Sequence, residues 1–383
     1  MVSNKFHGDF SENRISQKLL KLKENGIEIL NLIESNPTAC DFTYNKDIII
    51  NSFRSENNLK YEPVPGGSNY VKGKITDLHR KNLSVNDITL TAGTSESYSY
   101  LFKMLSNPGD NILIPKPSYP LLDILCELDS LEIRYYNLVY NGNRWEIDFD
   151  SIVAQTDKKT KSIIIVNPNN PTGNFFSKFD SDSFVEYCGK NNIALIIDEV
   201  FNDFNLSEKK FSFIEADIFE NSSIFVLNGI SKMLALPQMK LGWIINLSGN
   251  KVKDSYNNIL EMIADSYYTV NTPVQNAFPN LLQTGKEIRA QILKRISSNY
   301  NFLSKYFNNN PLNIILPVDG GWYAVLKSIS QADDEERVLY FLENYGVNLH
   351  PGYFYNFDAD GYFVLSLIVK ESILQSGIQR IFR

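Results

Sequence analysis

From about residue 86 the sequence settles into a rhythm that few architectures satisfy. Short runs rich in Ile, Val and Leu, such as "NILIP", "KSIIIVN", "IALIIDE", "SIFVLN" and "GWIINL", alternate with longer amphipathic stretches. Several runs are apolar throughout rather than at every second position, which is how strands covered on both faces read. Segments with helical spacing lie between many of them, as at 95–105 and 181–190. The pattern predicts βαβ units and an α/β chain, with a mostly parallel central sheet flanked by helices. After about residue 250 helical stretches dominate, and short strands return at "GGWYAVLK" and "GYFVLSLI". That change marks a smaller α+β unit. The expected divisions are an N-terminal segment at 1–50 that packs on the other parts, a large α/β domain at 51–270 and a small α+β domain at 271–383.

Composition narrows the function. Hydrophobic residues make up 43% of the chain, enough for a substantial core. Acidic residues (44) outnumber basic ones (37), for a net charge of −7, which argues against a nucleic-acid partner. Cys40, Cys126 and Cys188 are too scattered for a disulfide framework or a zinc pair. His7, His79 and His350 have no metal-ligand spacing, so neither a metal site nor a His-centred triad is expected. No apolar run is long enough to span a bilayer, and the first residues carry no apolar signal core. A cytoplasmic chain with no membrane partner is therefore expected.

Chemistry gathers where strands end, which is where open α/β sheets bind ligands. "ITLTAGTSESYSYLF" runs from a strand through Gly93, Thr94 and Ser95 into a helix. Free N–H groups beside hydroxyls suit a phosphate, although a plain N-cap reads the same way. "SIIIVNPNNPTGNFF" ends a strand in a dense Asn/Pro turn able to aim the Asn170 amide, or simply to turn. "ALIIDEVF" ends a strand in Asp198, a carboxylate that is costly there unless donors meet it or it caps a helix. "SIFVLNGISKMLALP" puts Lys232 beyond a strand in an apolar stretch, where a surface turn is the plainer reading. A ligand that uses all four offers an anionic phosphate, a ring hydroxyl, a protonated ring nitrogen and an aldehyde carbon. Pyridoxal 5′-phosphate (PLP) has those groups.

With these motifs in order, the chain resembles the fold-type I PLP-dependent aminotransferases of class I/II over nearly its whole length, as an atypical member. "NGISK" is similar to the Schiff-base lysine motif, "NPNNPTG" to the Asn-Pro-Thr-Gly loop and "DEVF" to the strand end that carries the aspartate. "IPKPSYP" resembles the segment whose aromatic residue, here Tyr119, stacks on the cofactor ring. "YEPVPGG" resembles the loop from which a tyrosine, here Tyr61, reaches the phosphate of a partner subunit. The resemblance implies a homodimer that moves an amino group between an amine or amino acid and a keto acid. It implies Lys232 and Asp198 as the catalytic pair, with Asp198 opposite the ring nitrogen. Asn170 would then meet the ring's phenolic oxygen, and Gly93, Thr94, Ser95, Ser231 and Lys240 would surround the phosphate. No metal is implied.

Three positions depart from the resemblance. Phe201 stands where a tyrosine usually bonds the ring oxygen, a bond worth about 1.5–3 kcal/mol. Lys240 stands where an arginine usually grips phosphate, keeping the charge but losing the fork. Val364 stands where an arginine usually holds the substrate carboxylate with two bonds, a loss of about a hundredfold or more in affinity. Arg337, Arg295 and Lys370 are near in sequence as replacements, and non-standard carboxylate recognition is expected. The departures leave room for a lyase, decarboxylase, cyclase or oxidase on the same scaffold. A non-catalytic PLP-binding protein is the third reading.

Overall fold

The structure, a computed structural model, describes residues 11–79, 83–216, 220–268, 270–329 and 333–382, with Ser3 and Lys5. His7 lies outside the described residues, as does most of the stretch before residue 11. Strand β1 is Leu30–Asn31. It precedes β2 (Ile88–Thr91), β3 (Asn111–Lys116), β4 (Glu132–Tyr140), β5 (Trp145–Ile147), β6 (Thr160–Val166), β7 (Ala194–Asp198), β8 (Ser223–Gly229) and β9 (Gly242–Asn246). Among the described residues β2 to β9 form an eight-stranded sheet in the order β2-β9-β8-β7-β6-β3-β4-β5. Strands β4, β3, β6, β7 and β8 run parallel, while β9 and β5 are reversed.

The apolar runs do what their composition requires. Along β6, β7 and β8, Ile163, Leu195 and Val226 face one core cluster, while Ile164, Ile196 and Phe225 face another on the opposite side. Successive side chains point to opposite faces, so a strand covered on both sides must be apolar at every position. Each such side chain contributes about 1.5–3 kcal/mol of burial. On one face the helix Thr94–Leu105 supplies Tyr98, Leu101 and Phe102 to the cluster.

A second sheet holds β10 (Asn313–Ile315), β11 (Tyr323–Ser328), β13 (His350–Pro351) and β14 (Tyr362–Ser366), all antiparallel in the order β10-β11-β14-β13. Strand β12 (Val347–Asn348) pairs in parallel with β1, which draws the N-terminal segment onto the C-terminal region. Further bonds tighten that join: Ser366 N–H to the Leu32 carbonyl at 2.8 Å and Leu32 N–H to the Asn348 carbonyl at 2.9 Å. Among the described residues no helix is long and apolar enough to cross a membrane, and no group of three or more potential ligands could hold a metal ion.

Candidate active site

Strands β6, β7 and β8 point the same way, and register puts Val166, Asp198 and Leu227 side by side at their carboxyl ends. Strand β2 reaches the same edge because it and β8 both run antiparallel to β9. A cavity of about 190 Å³ opens there. Gly93, Thr94, Ser95, Asn170, Asp198, Ser231 and Lys232 all line it. So do Tyr119 and Phe201.

Asp198 is buried at the last position of β7. Its Oδ2 accepts the Tyr98 hydroxyl at 3.1 Å and its Oδ1 accepts the Val200 N–H at 3.0 Å. Burial pushes its carboxyl up to about 6, opposed by those two bonds and by the Lys232 charge. Lys232 sits just past β8, in the short helix Ile230–Met233, with its Nζ 4.9 Å from the Trp322 ring centre and 5.5 Å from that of Phe201. Burial lowers its ammonium to about 8, with Asp198 pulling the other way. The cavity thus presents an amine that loses its proton more readily than a free lysine and a carboxylate that a cation would stabilise.

The helix Thr94–Leu105 begins at Gly93 with no side-chain cap. The N–H groups of Glu96 and Ser97 turn back to the Gly93 carbonyl. Those of Thr94 and Ser95 are the unpaired donors of a helix start, beside an open edge that favours an anion. Gly93 has φ +147°, and a Cβ on it would stand 3.8 Å from Lys240 Nζ, so the exposed Lys240 reaches this cradle although it lies outside the cavity lining. Gly242 lets the cradle close. A Cβ there would meet Gly93 Cα at 2.8 Å and the Asn228 carbonyl at 3.2 Å. Gly242→Ala is therefore expected to cost about 1–3 kcal/mol and to weaken phosphate binding, measured by thermal melting and by titration with inorganic phosphate.

The Asn/Pro loop is held rigidly. The Gly173 carbonyl accepts N–H bonds from Asp319 at 3.0 Å and Gly320 at 2.9 Å, and Asn167 bridges the Phe176 N–H and the Phe211 carbonyl. Gly173 has φ +72°, and a Cβ would strike the Gly320 carbonyl at 2.7 Å. What this loop aims is Asn170, whose buried Oδ1 has no partner among the described residues.

Not every anticipated residue meets the cavity. Tyr61 is 83% exposed and lines a separate hollow with Tyr268 and Gln275. Val364 is buried in β14, and none of the three nearby cations replaces an arginine there. Arg337 stacks 4.6 Å from the Phe363 ring and bonds Ser328. Arg295 lies near the Cys40 and Ile368 carbonyls, and Lys370 pairs with Asp41 at 3.0 Å. None lines the cavity. Phe201 offers no hydroxyl and packs edge-on against Trp322 and Tyr323.

Three hydroxyl-bearing lining residues escaped the sequence reading: Tyr98, Ser35 and Tyr323. Tyr98 was legible, because it stands four residues after Thr94 and so on the same helix face. Ser35 and Tyr323 arrive from distant segments and carry no local signal.

A family model described as aminotransferase class I and II matches residues 46–381. Glutamate-pyruvate aminotransferase AlaA of Haemophilus influenzae is 27% identical over 389 residues, covering 96% of this chain and 93% of that protein. Nicotianamine aminotransferase 1 of Oryza sativa is 33% identical over 221 residues, 56% of this chain, and the match spans 43% of that protein. In fold, alanine aminotransferase from Pyrococcus furiosus superimposes with a TM-score of 0.89 at 22% identity, covering 99% of this chain and 98% of that one. With a family match over most of its length, a like fold and motifs that converge on one cavity, the chain belongs to the class I and II aminotransferase family.

Proposed function

We propose that this chain is a PLP-dependent aminotransferase that acts as a cytoplasmic homodimer. It moves an amino group between an amine or amino acid and a keto acid. The observation that carries the reading is that Lys232 and Asp198 line one cavity together with the helix start at Thr94 and Ser95. Kinship with aminotransferases favours amino transfer over a lyase, decarboxylase, cyclase or oxidase.

The residues present fit the cofactor. Asn170, in the cavity wall, carries an amide N–H able to meet the ring oxygen, and the helix-start donors with Ser231 and Lys240 suit the phosphate. Tyr119, in the cavity lining, would stack on the ring, and with Phe201 lacking a hydroxyl Asn170 would be the ring oxygen's donor. Exposed Tyr61 is free to serve a partner subunit's phosphate. When bound, PLP supplies an electron sink for the carbon that loses its proton. Lys232 would hold the cofactor through its amine and, once released, would carry the proton to and from the substrate carbon. Asp198 would keep the ring nitrogen protonated, and the apolar walls would exclude water from the reacting carbon.

The test is direct. Purified protein should absorb in the near-UV or visible range, and borohydride should fix the label on Lys232. Amino donors should bleach that band with release of a keto product, restored by a second keto acid. Ammonia or CO₂ release without such restoration would point to the lyase or decarboxylase.

The pKa of Lys232 sets a further expectation. Its amine is a nucleophile only when neutral, so capture of added PLP by the empty protein should accelerate as pH rises from 6, reach half its maximum near 8 and level off about one unit higher. Stopped-flow absorbance reads this. A rate still climbing beyond about pH 10, the range of an unperturbed lysine, would contradict the desolvated setting.

A further inference from the structure

The cavity is poor in positive charge. Lys232 is the only lysine among its described lining residues, and no arginine or histidine joins it. On the proposed-function reading, which this inference rests on and deepens, that lysine is committed to the cofactor. What remains for the rest of the substrate is a wall of neutral hydroxyls.

Tyr323, from β11, supplies the centre of that wall. Its hydroxyl lies near Ser35 and Tyr119, which line the same cavity. Behind it Tyr355 bonds His350 Nδ1 at 3.1 Å, and the Ser118 N–H donates to the Tyr355 carbonyl at 2.9 Å, docking the Tyr119 loop on the C-terminal sheet. In β14, Val364 stands opposite both Val325 and His350, two residues along from Ser366, the partner of Tyr323. It therefore shares the face of Tyr323.

None of these groups carries charge near neutral pH. Burial raises Tyr323 to about 12 and lifts Tyr119 and Tyr355, while it lowers His350 to about 4. The charge that acts on this wall from the rim is negative. Glu34, next to Ser35, shifts Tyr323 and spends one oxygen on the Asn36 N–H at 2.8 Å. A substrate carboxylate placed here loses water and gains no cation, which is unfavourable. A hydroxyl or amide meets donors and acceptors that match it.

We propose that this cavity reads the end of the substrate opposite the transferred amine as an uncharged hydrogen-bonding group, with Tyr323 as the specificity-determining residue. Free amino acids are then the weaker amine donors, and amino alcohols and amino amides the better ones. The apolar part of the lining, Leu121, Leu122 and Leu125, suits a hydrophobic side chain.

The experiment uses the PLP-loaded protein and a matched set: phenylalanine, phenylalaninamide and phenylalaninol, with the leucine counterparts. Dissociation constants come from difference spectra, and kcat/KM from the bleaching half-reaction. The expected result is that the amide and alcohol equal or exceed the acid. Tyr323→Phe should lower kcat/KM for the alcohol by about tenfold while changing 2-phenylethylamine, which lacks the polar group, by less than about twofold. Val364→Arg should turn preference toward the acid by about tenfold or more. Its melting temperature shows whether it folds, and the wild-type series and Tyr323→Phe decide the matter if it does not. A wild-type preference for the acid above about tenfold overturns the proposal, as does failure of the whole set to bind loaded protein. A protein with no borohydride-trapped Lys232 linkage overturns the proposed function instead, so the two failures are distinct.

Discussion

Lys232→Ala is expected to lower amino transfer by about 10⁴-fold or more and to abolish the linkage that borohydride traps. Two roles vanish together. General acid–base transfer by a placed side chain alone is worth about 10²–10⁴-fold, and the covalent hold on the cofactor is lost as well. The variant should still fold. Among the described residues the ammonium makes no salt bridge, and it rests against the rings of Trp322 and Phe201. Removing a charge that burial already penalises should leave the melting temperature within a few degrees of the parent. Exogenous methylamine should restore part of the proton transfer, because it fits the space the side chain leaves. Activity retained above about a tenth of the parent would remove Lys232 from the mechanism.

Asp198→Asn is expected to lower kcat by about 10²–10³-fold with the fold intact. The amide has the same shape as the carboxylate, and its oxygen can keep the Val200 N–H bond. Its NH₂ can donate to the Tyr98 hydroxyl, which at present donates to Oδ2. What disappears is the negative charge. Without it a ring nitrogen opposite is no longer held protonated, and the reacting carbon loses its stabilisation. The change should therefore appear in kcat more than in substrate KM, and the dissociation constant of PLP should rise because an ion pair is missing. Asp198→Glu, which keeps the charge but moves it by a methylene, should recover only part of the rate. Parent-like kcat in Asp198→Asn would assign this carboxylate to folding alone.

Much of this design was written locally in the chain. Strands such as "KSIIIVN" and "IALIIDE" declare burial on both faces, and the structure seats them at the centre of the main sheet. A strand end fixes where its next residues lie, so Asp198, Asn170, Lys232 and the turn at Gly93 could be assigned to one edge. The reversed strand β9 was not legible as such, since a run buried on both faces reads alike in either direction. Ser35 reaches the cavity through bonds between residues more than 300 positions apart and Tyr323 through a separate antiparallel sheet, and no local pattern encodes either. The nearby cations were misleading for the same reason. Arg295, Arg337 and Lys370 are close to Val364 in sequence or sheet, yet their partners draw them elsewhere.

The join between the chain's beginning and its last third has a mechanical consequence. Leu30 and Leu32 donate backbone bonds to Gly346 and Asn348, while Ser366 binds the carbonyls of Leu32 and Glu34 through its N–H and hydroxyl. Ser35 is therefore tied to the antiparallel sheet that carries Tyr323. Should that sheet swing toward the parallel one when a substrate enters, both hydroxyls travel as a single shutter, while Lys232 and Asp198 stay with the frame.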